Sequence, residues 1–397
     1  MYLERQAISL EQAQALLSGL DITPKTEIKK VNESHEQYLA EDVVAPFPIP
    51  AFRRSGYDGY GILSEDDQDF PREFEILENV AAGQTFDANM KSGQAVRIMT
   101  GAKVPNQVGK VIKIELTVQT SEGKVKILES MKSTNISKIG EEVEQGEVIL
   151  KKGTKLNAGA ISVLNAFGRE EITVYQKPKM AIIATGSELL KPGEAFQEGK
   201  IYNSNGPLLT GLARENGADI IIEQTLADKF ESTWQTLKDL AQKVDLIITT
   251  GGVSVGDFDF MAKVAKESDQ FLFNKLAMRP GSPTTAFVLD GTPVVALSGN
   301  PSACFTGFYF FAEPLIKKMQ GTETSIKKGT AVLQSAYSKR NEYDRYLNGV
   351  LEDNVVALHG HGQSSELASL YLSNCFFEIP HGTIKEAGEQ VVVWKIQ

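Results

Sequence analysis

The sequence has 397 residues, which is enough for two to four domains of roughly 100–200 residues each. Lysine and arginine number 41 against 51 aspartates and glutamates, so the formal net charge is −10. Binding to a nucleic-acid backbone requires clustered positive charge, so we expect no nucleic-acid partner. No segment approaches the ~20 apolar residues of a membrane span, and the N-terminal residues lack a signal-peptide core. We therefore expect a soluble, cytoplasmic protein that does not bind membranes.

The two cysteines, Cys304 and Cys375, lie in the apolar segments SACFTGF and SNCFFEI. Isolated cysteines in such segments are typical of small buried side chains, and no CxxC metal motif is present. We expect both thiols to be buried and to have no catalytic or metal-binding role.

The N-terminal part of the chain predicts one helix and then a β-rich region. Residues 8–17 predict an amphipathic helix capped by Ser9. Its apolar face would contain Leu10, Ala13, Leu16 and Leu17. Prolines in 41–52 mark a boundary, because proline is excluded from helix interiors and central strands. The strands that we predict beyond it cover 73–80, 95–99, 111–116 and 123–130, followed by a helix over 158–166.

From residue 180 the pattern changes to alternating strands and helices. The apolar runs 180–185, 218–224, 244–249 and 293–298 predict strands buried on both faces, and helices are predicted over 205–215, 229–242, 258–267 and 302–319. This alternation is typical of a parallel α/β sheet. Strand patterns return over 331–337, 354–360, 374–380 and 390–396, which predicts a small C-terminal β domain.

Five connections of the α/β region fall where strand carboxyl ends are expected. They are 185-TGSE-188, 225-TLAD-228, 250-TGGVSVGDFD-259, 275-KLAMRPGSP-283 and 298-SGNPS-302. Ligands of open α/β sheets bind at this edge, and helix N-termini there offer unpaired N–H groups to anions. A single glycine-rich loop is an ordinary turn, but five at one edge indicate a ligand crevice. Neither a Walker P-loop nor a G-x-G-x-x-G fingerprint is present.

The charged residues of these loops are of two kinds. Carboxylates suit a hard divalent cation, whereas lysine and arginine suit phosphate or another oxyanion. Together they indicate metal-assisted chemistry on an anionic substrate, although helix caps and solvated side chains are the structural alternatives. The acids are Glu188, Asp228, Asp257 and Asp259, and the cations are Lys275 and Arg279.

The β-rich region contains three further polar segments. They are 52-FRRSGYDGYG-61, 97-RIMTGAKVP-105 and 138-KIGEEVEQG-146. Taken alone, the first two are compatible with ordinary turns and the third with a solvated acidic loop.

In combination, the segments carry a family resemblance. The motifs SGYDGYG, VRIMTGAKVP, IGEEVEQG, IIATGSELL, TTGGVSVGD, KLAMRPGSP and SGNPSA occur in one order along the whole chain. In order and spacing they resemble the molybdopterin molybdenumtransferases, the bacterial MoeA family, which is related to the C-terminal domain of gephyrin. The resemblance implies an enzyme that inserts molybdenum, supplied as molybdate, into the dithiolene of adenylated molybdopterin. AMP and the molybdenum cofactor would be released, with Mg²⁺ as the divalent cation.

The resemblance also implies a multidomain α/β plus β fold. An elongated linking domain would contain 1–44 and 151–178, with a β-rich lobe, 45–150, inserted into it. A molybdopterin-binding α/β domain would cover 179–325 and a β-barrel-like domain 326–397. A homodimer is implied, with each site shared between the α/β domain of one subunit and the lobe of the other. The adenylyltransferase that precedes this step and the molybdoenzyme apoproteins would be protein partners.

Site residues follow from the same resemblance. It implies catalytic roles for Asp58, Glu188, Asp228, Asp259, Lys275 and Arg279, with metal ligation by Asp58, Glu188 and Asp259. In the lobe, Thr100 and Glu142 would contact substrate. Further substrate contacts would come from Thr185, Gly186, Gly251, Gly252, Ser254, Gly256, Pro280, Gly281, Ser298, Gly299, Asn300 and Pro301.

Several positions depart from the common family pattern. Ser187 and Glu142 stand where many members have aspartate. Arg279 and Ser282 replace the lysines of the KPGKP pattern, and Ser298 replaces the first proline of PGNP. Arginine keeps a cation, whereas Ser282 loses one. We interpret the chain as an active variant of the family, because the acids and two cations are retained.

Three other functions are compatible with parts of the pattern. A molybdopterin adenylyltransferase has a similar α/β unit but lacks the lobe and the linking domain. A gephyrin-like scaffold with residual activity would not need the acids. A generic nucleotide hydrolase is the third alternative.

Overall fold

The computed structural model describes residues 6–227, 229–253 and 260–396. The chain divides into two compact units. The first contains Met1–Ala40, Lys155–Asn157 and Glu171–Gln397, and the second contains Glu41–Thr154 and Ala158–Glu170. The finer division into four domains remains a prediction. Within the part of the chain that the structure describes, no helix is long and apolar enough to cross a membrane.

The helices agree in position with those predicted, although the last one is not regular. A π-helical turn, Phe308–Ala312, interrupts the segment predicted as one helix over 302–319. Short 3₁₀ turns occur at Val31–Glu33, Ser64–Asp66, Ile114–Leu116 and Leu370–Leu372. The α-helices are α1 (Leu10–Ser18), α2 (Ala158–Ala166), α3 (Asn205–Glu215), α4 (Phe230–Ala241), α5 (Phe260–Lys266), α6 (Pro301–Gly307) and α7 (Glu313–Met319).

Helix α1 begins with the predicted cap. The Ser9 hydroxyl accepts a hydrogen bond from the Gln12 backbone N–H at 3.2 Å, and the Gln12 side chain accepts one from the Ser9 N–H at 2.9 Å. This reciprocal capping box satisfies two otherwise unpaired donors. The predicted apolar face is wrong at Leu16, which is 42% exposed, whereas Leu10, Ala13 and Leu17 are buried. Leu16 lies about 100° around the helix from Leu17, outside the buried stripe.

The strands are numbered in chain order. Those up to residue 175 are β1 (Thr26–Lys30), β2 (Val43–Val44), β3 (Arg54–Ser55), β4 (Gly59–Leu63), β5 (Arg72–Val80), β6 (Gln94–Ile98), β7 (Val108–Lys113), β8 (Thr117–Ser121), β9 (Lys124–Ile127), β10 (Ile136–Ser137), β11 (Val148–Leu150) and β12 (Glu171–Tyr175). Those that follow are β13 (Lys179–Thr185), β14 (Leu189–Leu190), β15 (Ile201–Tyr202), β16 (Asp219–Leu226), β17 (Leu246–Thr250), β18 (Gln270–Phe273), β19 (Met278–Arg279), β20 (Thr285–Leu289), β21 (Thr292–Leu297), β22 (Lys327–Leu333), β23 (Asp344–Glu352), β24 (Val355–Leu358), β25 (Cys375–Ile379) and β26 (Gln390–Lys395).

In the first unit, the α/β sheet has the strand order β16-β13-β17-β21-β20-β18. The four predicted strands are present and mutually parallel. Strands β20 and β18 are not among the predicted strands. Strand β20 pairs antiparallel with both β21 and β18, so β20 alone of these two runs opposite to the parallel strands. Strand β20 is joined to β21 by Asp290 and Gly291, both at positive φ, which is the geometry of a two-residue hairpin turn.

The sheet is covered on both faces, as its apolar strands predict. Met180, Ile182 and Ile248 belong to one buried cluster, whereas Ile183 and Ile247 belong to another. Strand β16 differs from the prediction of burial on both faces, because it is the edge strand and Ile221 is 49% exposed.

The C-terminal β domain closes into a barrel, also within the first unit. Its strands follow the order β23-β24-β22-β26-β25, and β25 pairs back onto β23. Strand β23 is the strand that the sequence pattern did not predict. The ring of Phe310, in the π-helical turn, lies 5.1 Å from Tyr346, 5.2 Å from Phe376 and 5.3 Å from Trp394 between centroids. Aromatic pairs contribute stabilisation in addition to that from the apolar area they bury. This cluster therefore holds the barrel against the helical layer.

The second unit is built on one sheet, ordered β7-β4-β6-β5-β9-β8. The four predicted strands correspond to β5, β6, β7 and β9, and the prediction of a β-rich region is confirmed. Strands β4 and β8 are additional. Strand β4 lies between β7 and β6 and begins at Gly59, within the SGYDGYG motif.

The expected burial of the two cysteines is confirmed, since both thiols are free and buried. Burial raises the pKa of each thiol to about 12. The thiolate is the reactive form of cysteine. With a pKa this far above 8, almost none of either thiol is ionised at pH 8. We predict that the native protein does not react with a thiol-specific reagent at pH 8 and that the denatured chain exposes both thiols. Rapid labelling of either cysteine in the native protein, followed by mass spectrometry, would contradict this burial.

Candidate substrate cleft

A cleft of about 980 Å³ opens at the carboxyl ends of the parallel strands in the first unit. This volume is at the upper end for small-molecule sites. Loops of the α/β sheet form one side and the barrel forms the other. Residues that line it include Glu188, Gly251, Gly252, Val253, Lys275, Arg279, Pro280, Gly281, Ser282, Pro283, Ser298, Gly299 and Asn300 from the sheet side, and Lys339, Tyr343, Arg345, Gly362, Gln363, Ser364 and Ser365 from the barrel.

The floor of the cleft is formed by the loops that follow β13, β17 and β21. These loops approach each other so closely that a Cβ atom on Gly251 would lie 2.3 Å from the Thr185 carbonyl oxygen. Gly251 also has φ +93°, which glycine adopts without strain. A Cβ on Gly299 would contact the Gly251 Cα at 3.6 Å. The predicted site residue Thr185 is buried beneath this floor and donates to the Thr250 carbonyl at 3.4 Å.

The loop after β21 turns directly into α6. Ser298 is buried, and its hydroxyl accepts a hydrogen bond from the Asn300 N–H at 3.3 Å. Pro301 occupies the first turn of α6, where its missing N–H costs nothing. Hydrogen bonding thus orders the turn at the position where the family pattern has a proline.

Glu188 is exposed and contributes a carboxylate to the lining of the cleft. Its carboxylate lies over Gly186, because a Cβ there would be 2.7 Å from Glu188 Oε2. The Ser187 carbonyl accepts a hydrogen bond from the Lys200 amine at 2.5 Å. Ser187, which stands where many family members have aspartate, is therefore next to Glu188, and its backbone carbonyl is hydrogen-bonded to Lys200.

Lys275 precedes the loop 276–282, which contains Arg279 and whose two ends are tied together by hydrogen bonds. The Leu276 N–H donates to the Ser282 carbonyl at 2.8 Å, and the Ser282 hydroxyl donates to the Leu276 carbonyl at 2.7 Å. Arg279 lies in β19, directly beside Arg345 of β23. The Arg279 guanidinium lies 5.7 Å from the centroid of the Tyr343 ring, within cation–π range. Arg279 therefore lies on the barrel side of the cleft.

The barrel wall was missed by sequence reasoning. Arg345 donates to the Gly362 carbonyl at 2.5 Å, and the Glu366 carboxylate accepts from the His361 and Gly362 N–H groups at 2.9 and 3.1 Å. The Ser364 carbonyl accepts from the Ser302 N–H at 3.1 Å. These bonds hold the loop 360–366 over the start of α6. The signal available in the sequence is the glycine- and serine-rich run HGHGQSS.

Within the second unit, two of the three polar segments of the lobe are hydrogen-bonded to each other, and the third is bonded to the residues just before the first. Ser55 N–H donates to Ala102 O at 3.0 Å, and Gly101 N–H donates to Ser55 O at 2.9 Å, which places the first segment beside the second. Glu142, which is exposed, donates its N–H to Ile49 O at 3.0 Å. Gly59 is required sterically, because a Cβ would lie 2.0 Å from the Ile112 carbonyl oxygen.

Two predicted site residues of the lobe contact each other directly. The Thr100 backbone N–H donates to Asp58 Oδ1 at 2.7 Å. This bond, followed by the Thr100 hydroxyl and the charge of Arg97, lowers the pKa of Asp58 below its ordinary value. Hydrogen bonds to the ionised form favour it, so Asp58 stays a carboxylate to lower pH than a free aspartate.

Several predictions cannot be placed in this geometry. Asp228, Ser254, Gly256, Asp257 and Asp259 lie outside the described residues. Asp58 lies in the second unit and Glu188 in the first. Among residues 6–227, 229–253 and 260–396, no group of three or more His, Cys, Asp or Glu side chains could hold a metal ion. In the described lining of the cleft, Glu188 is the acidic residue, and one carboxylate supplemented by substrate phosphate oxygens fits the chemistry of Mg²⁺ binding.

The geometry defines a class of protein. A cleft at the carboxyl edge of an open α/β sheet, with one acid and four cations among the described residues of its lining, is typical of an enzyme that acts on a small anionic molecule.

Comparison with known proteins gives the family. Three family models match in chain order: the MoeA N-terminal region (domain I and II) at 8–168, a probable molybdopterin binding domain at 181–318, and the MoeA C-terminal region (domain IV) at 330–396. A molybdopterin molybdenumtransferase of Staphylococcus aureus (strain COL) is 40% identical over 363 residues, which are 89% of this chain and 87% of that protein. One from Staphylococcus epidermidis is 37% identical over 391 residues, which are 96% and 93% of the two chains.

Solved structures agree with these matches. The molybdopterin biosynthesis MoeA protein of Pyrococcus horikoshii superposes with a TM-score of 0.86 at 28% identity, over 99% of this chain and 100% of that one. A molybdenum cofactor biosynthesis protein of Pyrococcus furiosus shares the fold, with a TM-score of 0.60 at 19% identity. The chain belongs to the molybdopterin molybdenumtransferase (MoeA) family, a family of transferases in molybdenum cofactor biosynthesis.

The contact between Asp58 and Thr100 gives a prediction about charge. Thr100→Val removes the hydroxyl but keeps the backbone donor, so the pKa of Asp58 should rise part of the way toward its ordinary value. A carboxyl ¹³C NMR titration of both proteins measures this change. The matched control is Thr117→Val in the same lobe, which removes a hydroxyl that donates to Ile114 O at 2.8 Å. An Asp58 pKa equal in wild type and Thr100→Val would show that the hydroxyl makes no such bond.

Proposed function

We propose that this chain transfers molybdenum from molybdate into adenylated molybdopterin and releases AMP and the molybdenum cofactor. The observation that supports this reaction is the cleft that combines Glu188 with Lys275 and Arg279 in a member of this family. One acid and two cations are the groups that a phosphoanhydride and an oxyanion such as molybdate require.

The residues of the cleft then have separate roles. Backbone groups of the floor, around Gly251 and Gly299, would hold the pterin phosphate and the adenylate. Glycine permits the close approach that such contacts require. Lys275 and Arg279 would attract molybdate and stabilise negative charge in the transition state. A molybdate oxygen or a water molecule would attack the α-phosphorus, and the phosphoanhydride bond would break with the pterin phosphate as the leaving group. The two dithiolene sulfurs would then bond to molybdenum, and the displaced molybdate oxygen would leave either with AMP, if it was the attacking atom, or as water with the two thiol protons.

A divalent cation belongs to this proposal. Glu188 would hold Mg²⁺ together with substrate phosphate oxygens, and Asp58 and Asp259 are the further ligands that we propose. When bound, Mg²⁺ would polarise a phosphoryl oxygen. The low pKa of Asp58 supports its part, since a ligand must be ionised to bind the metal.

The assembly is also proposed. We propose a cytoplasmic homodimer in which the lobe of one subunit completes the cleft of the other, with the four domains 1–44 plus 151–178, 45–150, 179–325 and 326–397. The adenylyltransferase and the molybdoenzyme apoproteins remain the protein partners that we propose. Exposed polar residues in the lobe, Asp58, Thr100 and Glu142, support such sharing because they make no obvious contribution to a buried core.

One assay tests the reaction. Purified protein is supplied with adenylated molybdopterin and Mg²⁺, and AMP release is measured with and without molybdate. Molybdate-dependent release is the expected result. Adenylate formation from molybdopterin and ATP would instead indicate an adenylyltransferase, molybdate-independent release a hydrolase, and no turnover under any condition a scaffold.

The cations give a prediction about molybdate. Lys275→Ala and Arg279→Ala should each raise the KM for molybdate about 10-fold, because a charged hydrogen bond is worth about 1.5–3 kcal/mol. Lys238→Ala is the control, since this lysine in α4 lies over the Trp234 ring and does not line the cleft. Unchanged molybdate dependence in both cleft variants would remove the role that we assign to the cations.

The acid gives a prediction about Mg²⁺. Glu188→Gln keeps the size of the side chain but removes its charge, so AMP release should become slower and require more Mg²⁺. Glu194→Gln provides the control, because Glu194 caps the nearby Lys191 N–H at 3.0 Å and does not line the cleft. The assignment is wrong if Glu188→Gln matches wild type across a full Mg²⁺ titration.

A further inference from the structure

A buried amide joins two loops beneath the floor of the cleft. Asn205, the first residue of α3, is 7% exposed. Its Nδ2 donates to Thr250 Oγ1 at 2.9 Å and to the Gly299 carbonyl at 2.8 Å. The Thr250 hydroxyl donates in turn to the Ser298 carbonyl at 3.1 Å. A single side chain therefore bridges the last residue of β17 and the loop after β21.

The bridge lies where the sheet ladder stops. The register of β17 and β21 ends with Thr250 opposite Leu297, and the Gly251 N–H makes one further bond to Leu297 O at 3.1 Å. Beyond that point Gly251, Gly252 and Gly299 have no side chains with which to pack. Asn205 therefore supplies a link that the backbone ladder no longer provides.

Helix capping does not account for this residue. The cap of α3 comes from Asn203, whose Oδ1 accepts the Gly206 N–H at 3.0 Å. Asn205 Oδ1 is buried and has no donor among the residues that the structure describes. A buried acceptor without a hydrogen-bond partner is destabilising, so a side chain without this oxygen would make the folded helix more stable. What the asparagine contributes is its pair of donated bonds.

We propose that Asn205 is a positioning residue that sets the separation of the loops 250–252 and 298–300. It acts through the backbone of the floor and does not line the cleft itself. The proposal rests on the proposed function, because these loops are the ones assigned to the adenylated pterin. Its chemical consequence is on substrate binding, because contacts that the floor makes equally with the bound substrate and the transition state raise KM when they are weakened and leave kcat little changed.

The test compares two substitutions with a control in the same helix. Asn205→Ala removes the amide, and Asn205→Asp keeps its size but replaces both donors with acceptors that face the Gly299 carbonyl. Thr210→Val is the control, because Thr210 is buried in α3 and loses one hydrogen bond, to Glu223 Oε2 at 2.7 Å, away from the floor. Thermal unfolding establishes the folded fraction to which all kinetic constants refer.

Two measurements give the answer. We expect both Asn205 variants to raise the KM for adenylated molybdopterin about 10-fold or more, with a smaller change in kcat, while Thr210→Val keeps the wild-type KM. We also expect faster amide hydrogen exchange in peptides that cover 246–253 and 296–304, again only in the Asn205 variants. Aspartate fills the same space as asparagine but lacks the two N–H donors. If Asn205 only filled space, Asn205→Asp would keep the wild-type KM, and that result would overturn the proposal.

Other outcomes are equally decisive. Equal effects of Thr210→Val and Asn205→Ala would assign the result to helix stability and overturn the positioning role. If the wild-type protein releases no AMP, the proposed function fails, and the exchange measurement still decides whether Asn205 joins the two loops. Unchanged exchange in both Asn205 variants would overturn the link itself.

Discussion

The close approach of two loop backbones at Gly251 is the constraint on which the rest of the site depends. Strands β13, β17 and β21 are parallel neighbours, so their carboxyl ends emerge together. A Cβ at residue 251 would lie 2.3 Å from the Thr185 carbonyl, which excludes every residue except glycine unless the loops separate. Because the loops meet there, Glu188 and the start of α6 face the same cleft.

A second constraint places the opposite wall. Phe310 lies in the π-helical turn that follows α6, and its ring packs against Tyr346 of β23 and Trp394 of β26. The residue next to Tyr346 is Arg345, which lines the cleft and holds the Gly362 carbonyl. One residue of the aromatic cluster, Tyr346, therefore directly follows a residue of the cleft wall, Arg345, in β23. The packing of Tyr346 thus fixes the position of the Arg345 backbone in the wall.

The sequence predicts those parts of the fold that depend on local pattern. Uninterrupted apolar runs identify the parallel strands, and the loops after them locate the cleft. Strand β23 could not be predicted from propensity, because DRYLNG contains aspartate, asparagine and glycine, which strands disfavour. Its pairing on both sides overrides that preference. The hairpin at Asp290–Gly291 was predictable in principle, since Asp-Gly between apolar runs is a strong turn signal.

The remaining features of the site depend on contacts that the sequence pattern does not predict. They include the contact between Asp58 and Thr100 and the surroundings of the positions that depart from the family pattern. Asp58 and Thr100 are 42 positions apart and meet only because β4 pairs with β6. Ser298 and Ser282 replace a proline and a lysine, yet each hydroxyl makes a hydrogen bond that orders its own loop. Ser282 does not carry the positive charge of a lysine. Arg345 of β23, which is paired with Arg279 of β19, supplies a second guanidinium to the same cleft. The described lining of the cleft thus contains four cations, two of which, Lys339 and Arg345, come from the barrel.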